Sequence, residues 1–214
     1  QGLLVPKSLG LKSARELDGA TVCLNAGTTT ELNLADYFRT HKMRYSPVVF
    51  EKSDEVVAAY AAKRCDVYST DKSGLYAQRM KLKDPDAHMI LPEILSKEPL
   101  GPVVRQGDDG WFNIVRWTLF AIIGAEELGI TSKNVKTLRK AASDPRIRRF
   151  VGTEGKAGVN LGLDHAWAVR AVAAAGNYGE MFKRHLGADS RLKIDRGLNR
   201  LWSKGGLHYA PPIR

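Results

Sequence analysis

The sequence predicts an α/β fold: a mostly parallel five-stranded sheet flanked by helices over residues 1–100, followed by a mainly helical region over 101–214. Three observations predict it. Short apolar runs alternate with helical stretches as far as Leu100, the pattern of a sheet covered on both faces. Beyond Leu100 the alternation stops, and helical stretches separated by glycines such as Gly152, Gly162, Gly176 and Gly187 replace it. The charge changes at the same place. Residues 1–100 carry 14 Lys/Arg against 13 Asp/Glu, whereas residues 101–214 carry 19 against 10.

Leu3-Leu4-Val5 before Pro6 reads as a short strand, and Ser13 to Leu17 as a helical turn closed near Gly19. Thr21 to Asn25 reads as a buried strand, Thr28 to Thr40 as a helix with Leu32, Ala35 and Phe38 near one face, and Val48-Val49-Phe50 as the next strand. An alanine-rich helix follows over Asp54 to Lys63, with Ser53 as its expected cap. Cys65 to Thr70 is a strand, Ser73 to Met80 a helix, and Met89-Ile90-Leu91 a strand before Pro92. In the second region Val103-Val104-Arg105 reads as a strand. Helices are expected over Trp111 to Leu128, Pro145 to Phe150, Ala166 to Ala175, Tyr178 to His185 and Leu198 to Trp202.

The chain has 214 residues, 43% hydrophobic and 26% charged, an ordinary globular composition. Its longest apolar stretch, Trp117 to Ala125, ends in Glu126-Glu127 and is about half what a membrane span needs. The net charge of +10 permits attraction to nucleic acid, but the basic residues are dispersed. No aromatic-interleaved basic motif accompanies them, so a solvated basic surface is the better reading and nucleic acid is disfavoured as a partner. The five histidines join no serine or cysteine nucleophile motif, and the glycines of 152–162 lack a preceding strand and a following Gly-Lys-Thr/Ser, so no enzyme is expected. No metal or cofactor site is expected, because the two cysteines, Cys23 and Cys65, have no CxxC or clustered His/Cys spacing. Each lies in a strand-like run. If those strands are neighbours, a bridge would stabilise by roughly 4 kcal/mol; otherwise the two are buried free thiols.

Asn25-Ala26-Gly27-Thr28-Thr29-Thr30-Glu31 follows a strand and opens a helix. Gly27 allows a tight turn, and Thr28 and Glu31 have the spacing of a capping box. The first N–H groups of a helix lack internal partners and lie at the positive end of its dipole, so a carboxylate is stabilised there. Tyr68-Ser69-Thr70-Asp71 closes another strand, and ligands of parallel α/β sheets bind outside the carboxyl ends of strands. Threonines and amides for an α-carboxylate and Asp71 for an α-ammonium would together hold a zwitterion. The plain alternative is that both segments only cap helices.

Several segments resemble the second lobe of the general L-amino-acid-binding proteins of bacterial polar amino-acid ABC transporters, which are type II periplasmic binding proteins. They are Ala20 through Phe38, Cys65 through Asp71, Pro99 through Asp108, Gly176 through Glu180, Leu201 through Leu207 and Tyr209 through Arg214. The resemblance implies that Thr29 binds the substrate α-carboxylate, flanked by Thr28 and Thr30. Asp71 takes the α-ammonium, and Asn25 borders the side-chain pocket. It also implies a Cys23–Cys65 disulfide, a hinge strand at Leu100 to Arg105 within a 101–214 region that completes the first lobe, a periplasmic location, and an L-amino acid and a membrane permease as partners.

Members of that family have a first-lobe segment ahead of the point where this chain begins, carrying the arginine for the carboxylate and the opposite wall of the cleft. Without it, Trp111, Phe112, Trp117, Leu119, Phe120, Ile122 and Ile123 need another partner. A homo-oligomer through the helical region is therefore expected. The alternative function is a truncated paralogue that has lost amino-acid binding and acts as an oligomerising module.

Overall fold

In the computed structural model, which describes residues 1–214, the interior strand β1 (Gly2–Pro6) is buried almost throughout. The other strands are β2 (Ala20–Asn25), β3 (Tyr45–Phe50), β4 (Val67–Thr70) and β5 (His88–Ile90), in the spatial order β3-β2-β4-β1-β5. β2 pairs in parallel with β3 and β4, and β1 is antiparallel to both β4 and β5. Four of the five strands thus run one way and β1 is reversed. Pro47 removes a ladder donor, which is tolerated because β3 is an edge strand.

Alternation along the strands splits the core into two layers. Leu3, Val5, Val22, Leu24 and Val67 pack with Leu34 and Phe38 of α1 (Thr29–Thr40). Leu4, Cys23 and Tyr68 face the other way, against Val56, Val57 and Tyr60 of α2 (Ser53–Ala61) and Leu75 of α3 (Lys72–Arg79). These elements form one compact unit, Gln1–Leu100.

Gly101–Arg214 forms a second unit, built on α4 (Asp109–Glu127). Five shorter helices follow: α5 (Val135–Ala141), α6 (Pro145–Phe150), α7 (Ala157–Asn160), α8 (Trp167–Ala175) and α9 (Tyr178–His185). Asp108 caps α4 by accepting from the Trp111 N–H at 2.9 Å. Asp144 and Pro145 open α6, and Asn177 with Glu180 forms a capping box at α9. The core here is Ala121, Ile122, Ala125, Ile130, Val135, Phe150 and Val151 with Trp167, Val169 and Val172. Glu126 and Arg196 form a two-pronged ion pair at 2.5 and 2.8 Å, both largely buried.

Four local readings change. Val103-Val104-Arg105 joins no strand; Val103 is 95% exposed and has no ladder to enter. Ser53 is the first residue of α2 rather than its cap, and its hydroxyl bonds Asn25 instead. Leu198 to Trp202 yields two short 3-10 turns, Gly197–Asn199 and Trp202–Lys204, because Gly197 and Gly205 adopt positive φ there. Helices α5 and α7 were not foreseen, being short and weakly patterned. No helix is long and apolar enough to cross a membrane.

Candidate functional site: a helix start and an acid at one sheet edge

The parallel register Val22↔Val67 and Cys23↔Tyr68 carries on to bring Asn25 and Thr70, the last residues of β2 and β4, to the same edge of the sheet. Each strand then turns into a helix there, β2 through Ala26-Gly27-Thr28 into α1 and β4 through Asp71 into α3. The strand carboxyl ends and the helix amino ends therefore share one edge, which is favourable ground for an anion.

Gly27 has φ 66°, the left-handed conformation that lets the chain reverse out of β2. The expected capping box is displaced by one residue. Glu31 Oε2 accepts from the Gly27 N–H at 3.0 Å, and the Thr28 hydroxyl donates backward to the Asn25 carbonyl at 2.9 Å rather than capping the helix. Thr28 is half-buried, Thr29 exposed and Thr30 buried. The start of α1 thus keeps amide donors that no side chain caps, with the Thr29 side chain presented outward.

Asp71 occupies the N-cap position of α3, but its carboxylate makes no capping bond, so the capping-only reading does not describe it. Nor does the adjacent cation neutralise it. Lys72 Nζ is directed to the carbonyls of Pro92 and Glu93, at 3.2 and 3.5 Å. Burial lowers the Lys72 pKa, an effect the charge of Glu93 partly opposes.

Gln1 ties the two halves of the edge together. Its Nε2 donates to the Thr30 carbonyl at 3.1 Å and to Ser69 Oγ at 2.9 Å, and the Ser69 hydroxyl donates to the Gly2 carbonyl at 3.0 Å. The first turn of α1 and the end of β4 are held side by side through buried polar contacts. Sequence reasoning missed Gln1 and Ser69 as positioning residues, because nothing local links positions so far apart.

Asn25 is engaged at both ends of its amide. Nδ2 donates to the Phe50 and Glu51 carbonyls at 3.4 and 3.3 Å, and Oδ1 accepts from Ser53 Oγ at 3.2 Å. It fixes the turn from β3 into α2. Cys23 and Cys65 are disulfide-bonded with Cα atoms 5.7 Å apart, joining β2 to the residues entering β4 just behind this edge.

Similarity to known proteins fits this architecture. No family model matches the chain. The general L-amino acid-binding periplasmic protein AapJ of Rhizobium johnstonii is 60% identical over the whole chain, and the glutamate/glutamine/aspartate/asparagine-binding protein BztA of Rhodobacter capsulatus is 51% identical. A solved structure of an ABC transporter periplasmic binding protein from Brucella ovis, with glutathione bound, superposes with a TM-score of 0.94 at 53% identity; all of this chain matches 67% of that one. The chain belongs to the periplasmic binding proteins of ABC transporters. These binding proteins are not enzymes. The chain spans 63% of the length of AapJ and of BztA.

Proposed function

We propose that this chain contributes one wall of the solute cleft of an amino-acid ABC transporter binding protein, working in the periplasm and delivering its solute to a membrane permease. The names of its relatives support the class. One observation carries the chemistry: the α1 start and the uncapped Asp71 carboxylate share one sheet edge, tied through Gln1. The Thr28, Thr29 and Thr30 amides and the exposed Thr29 hydroxyl receive the α-carboxylate, and Asp71 receives the α-ammonium. Asn25 shapes the adjacent wall. Glutathione carries the same ammonium–carboxylate pair at its glutamyl end, so a bound glutathione in the Brucella protein accords with recognition of the zwitterion before the side chain.

Calorimetry tests the proposal. L-Glutamate, L-glutamine and glutathione are expected to bind, weakly if this wall acts alone, because a half cleft buries little of a small ligand. The matching 2-keto acid lacks the ammonium and the matching amine lacks the carboxylate. Each is expected to bind at least about tenfold more weakly, the loss of one charge-assisted contact. Equal binding of all three classes would refute the zwitterion clamp.

A second reading rests on the first turn of α4, where Trp111 and Phe112 are 53% and 44% exposed. Adjacent exposed aromatics mark an association surface, and the occupant we propose is a second copy of the chain. Light scattering giving a dimer mass supports this, and a monomer mass at micromolar concentration contradicts it.

A further inference from the structure

A cavity of about 410 Å³ lies wholly within the helical unit, between the end of α4, α6 and the segment from Trp202 to Arg214. Its size falls within the roughly 300–1,000 Å³ of small-molecule sites. Its inner wall is apolar, with Phe120, Leu128 and the buried Phe150. Its mouth carries Trp202 and Tyr209, 51% and 68% exposed, with ring centres 5.8 Å apart and planes near perpendicular. Glu127 accepts from Trp202 Nε1 at 3.3 Å and so orients that indole.

The cavity wall also carries Arg146, Arg149 and Arg214 against one acidic side chain, Glu127. Arg146 is committed to Asp144 by side-chain bonds of 2.7 and 3.2 Å. Arg149 has only a long contact to Glu154, at 3.5 Å, and its Nε is buried without any acceptor. That Nε is closed off from the cavity, but the Arg149 side chain as a whole is 31% exposed and its pairing with Glu154 is long, so the rest of the guanidinium is open to a carboxylate.

We propose that this cavity is a second binding site, taking a planar aromatic carboxylate whose ring lies among Phe120, Phe150, Trp202 and Tyr209 and whose anion meets Arg149. Aromatic walls favour a ring over an aliphatic chain. The charge selects an acid over its neutral amide, whose carbonyl accepts from Arg149 without the charge-assisted part of the contact. The site shares no residue with the sheet-edge clamp and stands independently of it.

Gly124 provides a clean test. It lines the cavity from within α4, and a Cβ there would meet no atom within 4 Å. Gly124→Leu therefore intrudes on ligand space while replacing a poor helix former with a good one. The full chain is titrated with benzoate and indole-3-acetate, with the neutral benzamide and indole-3-acetamide as controls, following Trp fluorescence and heat.

Saturable binding of the acids is expected, weakened roughly tenfold or more for the amides and for Arg149→Gln. Binding is expected to be lost in Gly124→Leu, whose melting temperature stays at or above wild type. Asp71→Asn should bind the aromatic acids as wild type does. No saturable binding of either acid, equal binding of the amides, or unchanged binding in a folded Gly124→Leu protein would each overturn the proposal.

Discussion

Thr21 and Asp66 are joined by a reciprocal set of hydrogen bonds at the point where β2 and the approach to β4 come together. The Thr21 N–H and hydroxyl donate to Asp66 Oδ2 at 2.9 and 2.6 Å, and the Asp66 N–H lies 3.0 Å from both Thr21 Oγ1 and the Thr21 carbonyl. This set fixes the register that brings Asn25 and Thr70 to one edge. Thr21→Val keeps the shape and removes the hydroxyl. It is expected to cost about 0.5–1.5 kcal/mol in urea unfolding at pH 7, because water can replace the lost partner at this exposed pair.

The same pair predicts an acid response. The Thr21 hydroxyl, then the Thr21 amide, hold the Asp66 carboxyl below its usual 3.8. A carboxyl whose folded pKa is depressed contributes stability above its unfolded value and loses it as pH falls through the folded one. The wild type should therefore lose more stability than Thr21→Val between pH 5 and acid conditions below 3.8. Parallel urea curves at matched pH values check this.

The Cys23–Cys65 bridge spans 42 residues, and a loop of that length corresponds to roughly 4 kcal/mol of stabilisation in the chain-entropy model. Reduction should lower the unfolding free energy of the 1–100 unit by that amount, read as a lower urea midpoint. It should also weaken the proposed zwitterion binding, since the bridge backs the strands that lead to Thr28–Thr30 and Asp71. An unchanged midpoint after verified reduction would show that the sheet does not depend on it.

In the helical unit, Glu126 and Arg196 are 11% and 19% exposed, and the guanidinium also lies over Tyr178 and Phe182. Arg196→Ala leaves a buried carboxylate unpaired and is expected to cost about 3 kcal/mol or more. Glu126→Gln keeps a hydrogen-bonding partner and should cost less. Thermal unfolding of the two variants ranks them.

His88 accepts or shares a proton with the buried Tyr60 hydroxyl at 2.7 Å through Nδ1. Burial lowers the His88 pKa from 6.5, with Asp84 opposing and Arg79 reinforcing the shift, while burial raises that of Tyr60. Tyr60 is thus the donor and His88 the neutral acceptor. The lowered value means this contribution is present above pH 6.5 and is lost as pH falls through the folded value. Melting temperature should drop below pH 6.5, and Tyr60→Phe, which lacks the hydroxyl, should flatten the drop.

Strand positions were legible because each buried run is short, apolar and bounded by turn residues, as Thr21 to Asn25 and Cys65 to Thr70 are. The reversal of β1 was not legible. Strand direction is set by pairing with Thr70 and Ile90, far away in sequence. Thr28 to Thr30 and Asp71 stood out through local composition, and the resemblance assigned their roles. The Gln1–Ser69 tie and the engagement of Asn25 by Phe50, Glu51 and Ser53 depend on tertiary contacts that no local pattern encodes, whereas Thr28 and Glu31 take partners three and four residues away that the capping-box spacing misassigned. Val103-Val104-Arg105 shows the opposite failure: strand propensity without a neighbouring ladder leaves an exposed segment.

The most direct measurement is a backbone amide NMR titration of the isotope-labelled chain with L-glutamine, run beside Asp71→Asn. Ligand-dependent shifts should concentrate at Thr28 through Glu31 and around Asp71 in the wild type, and should vanish at the same ligand concentrations in the variant. Shifts confined to other parts of the chain, or an identical response from Asp71→Asn, would contradict the two-ended clamp.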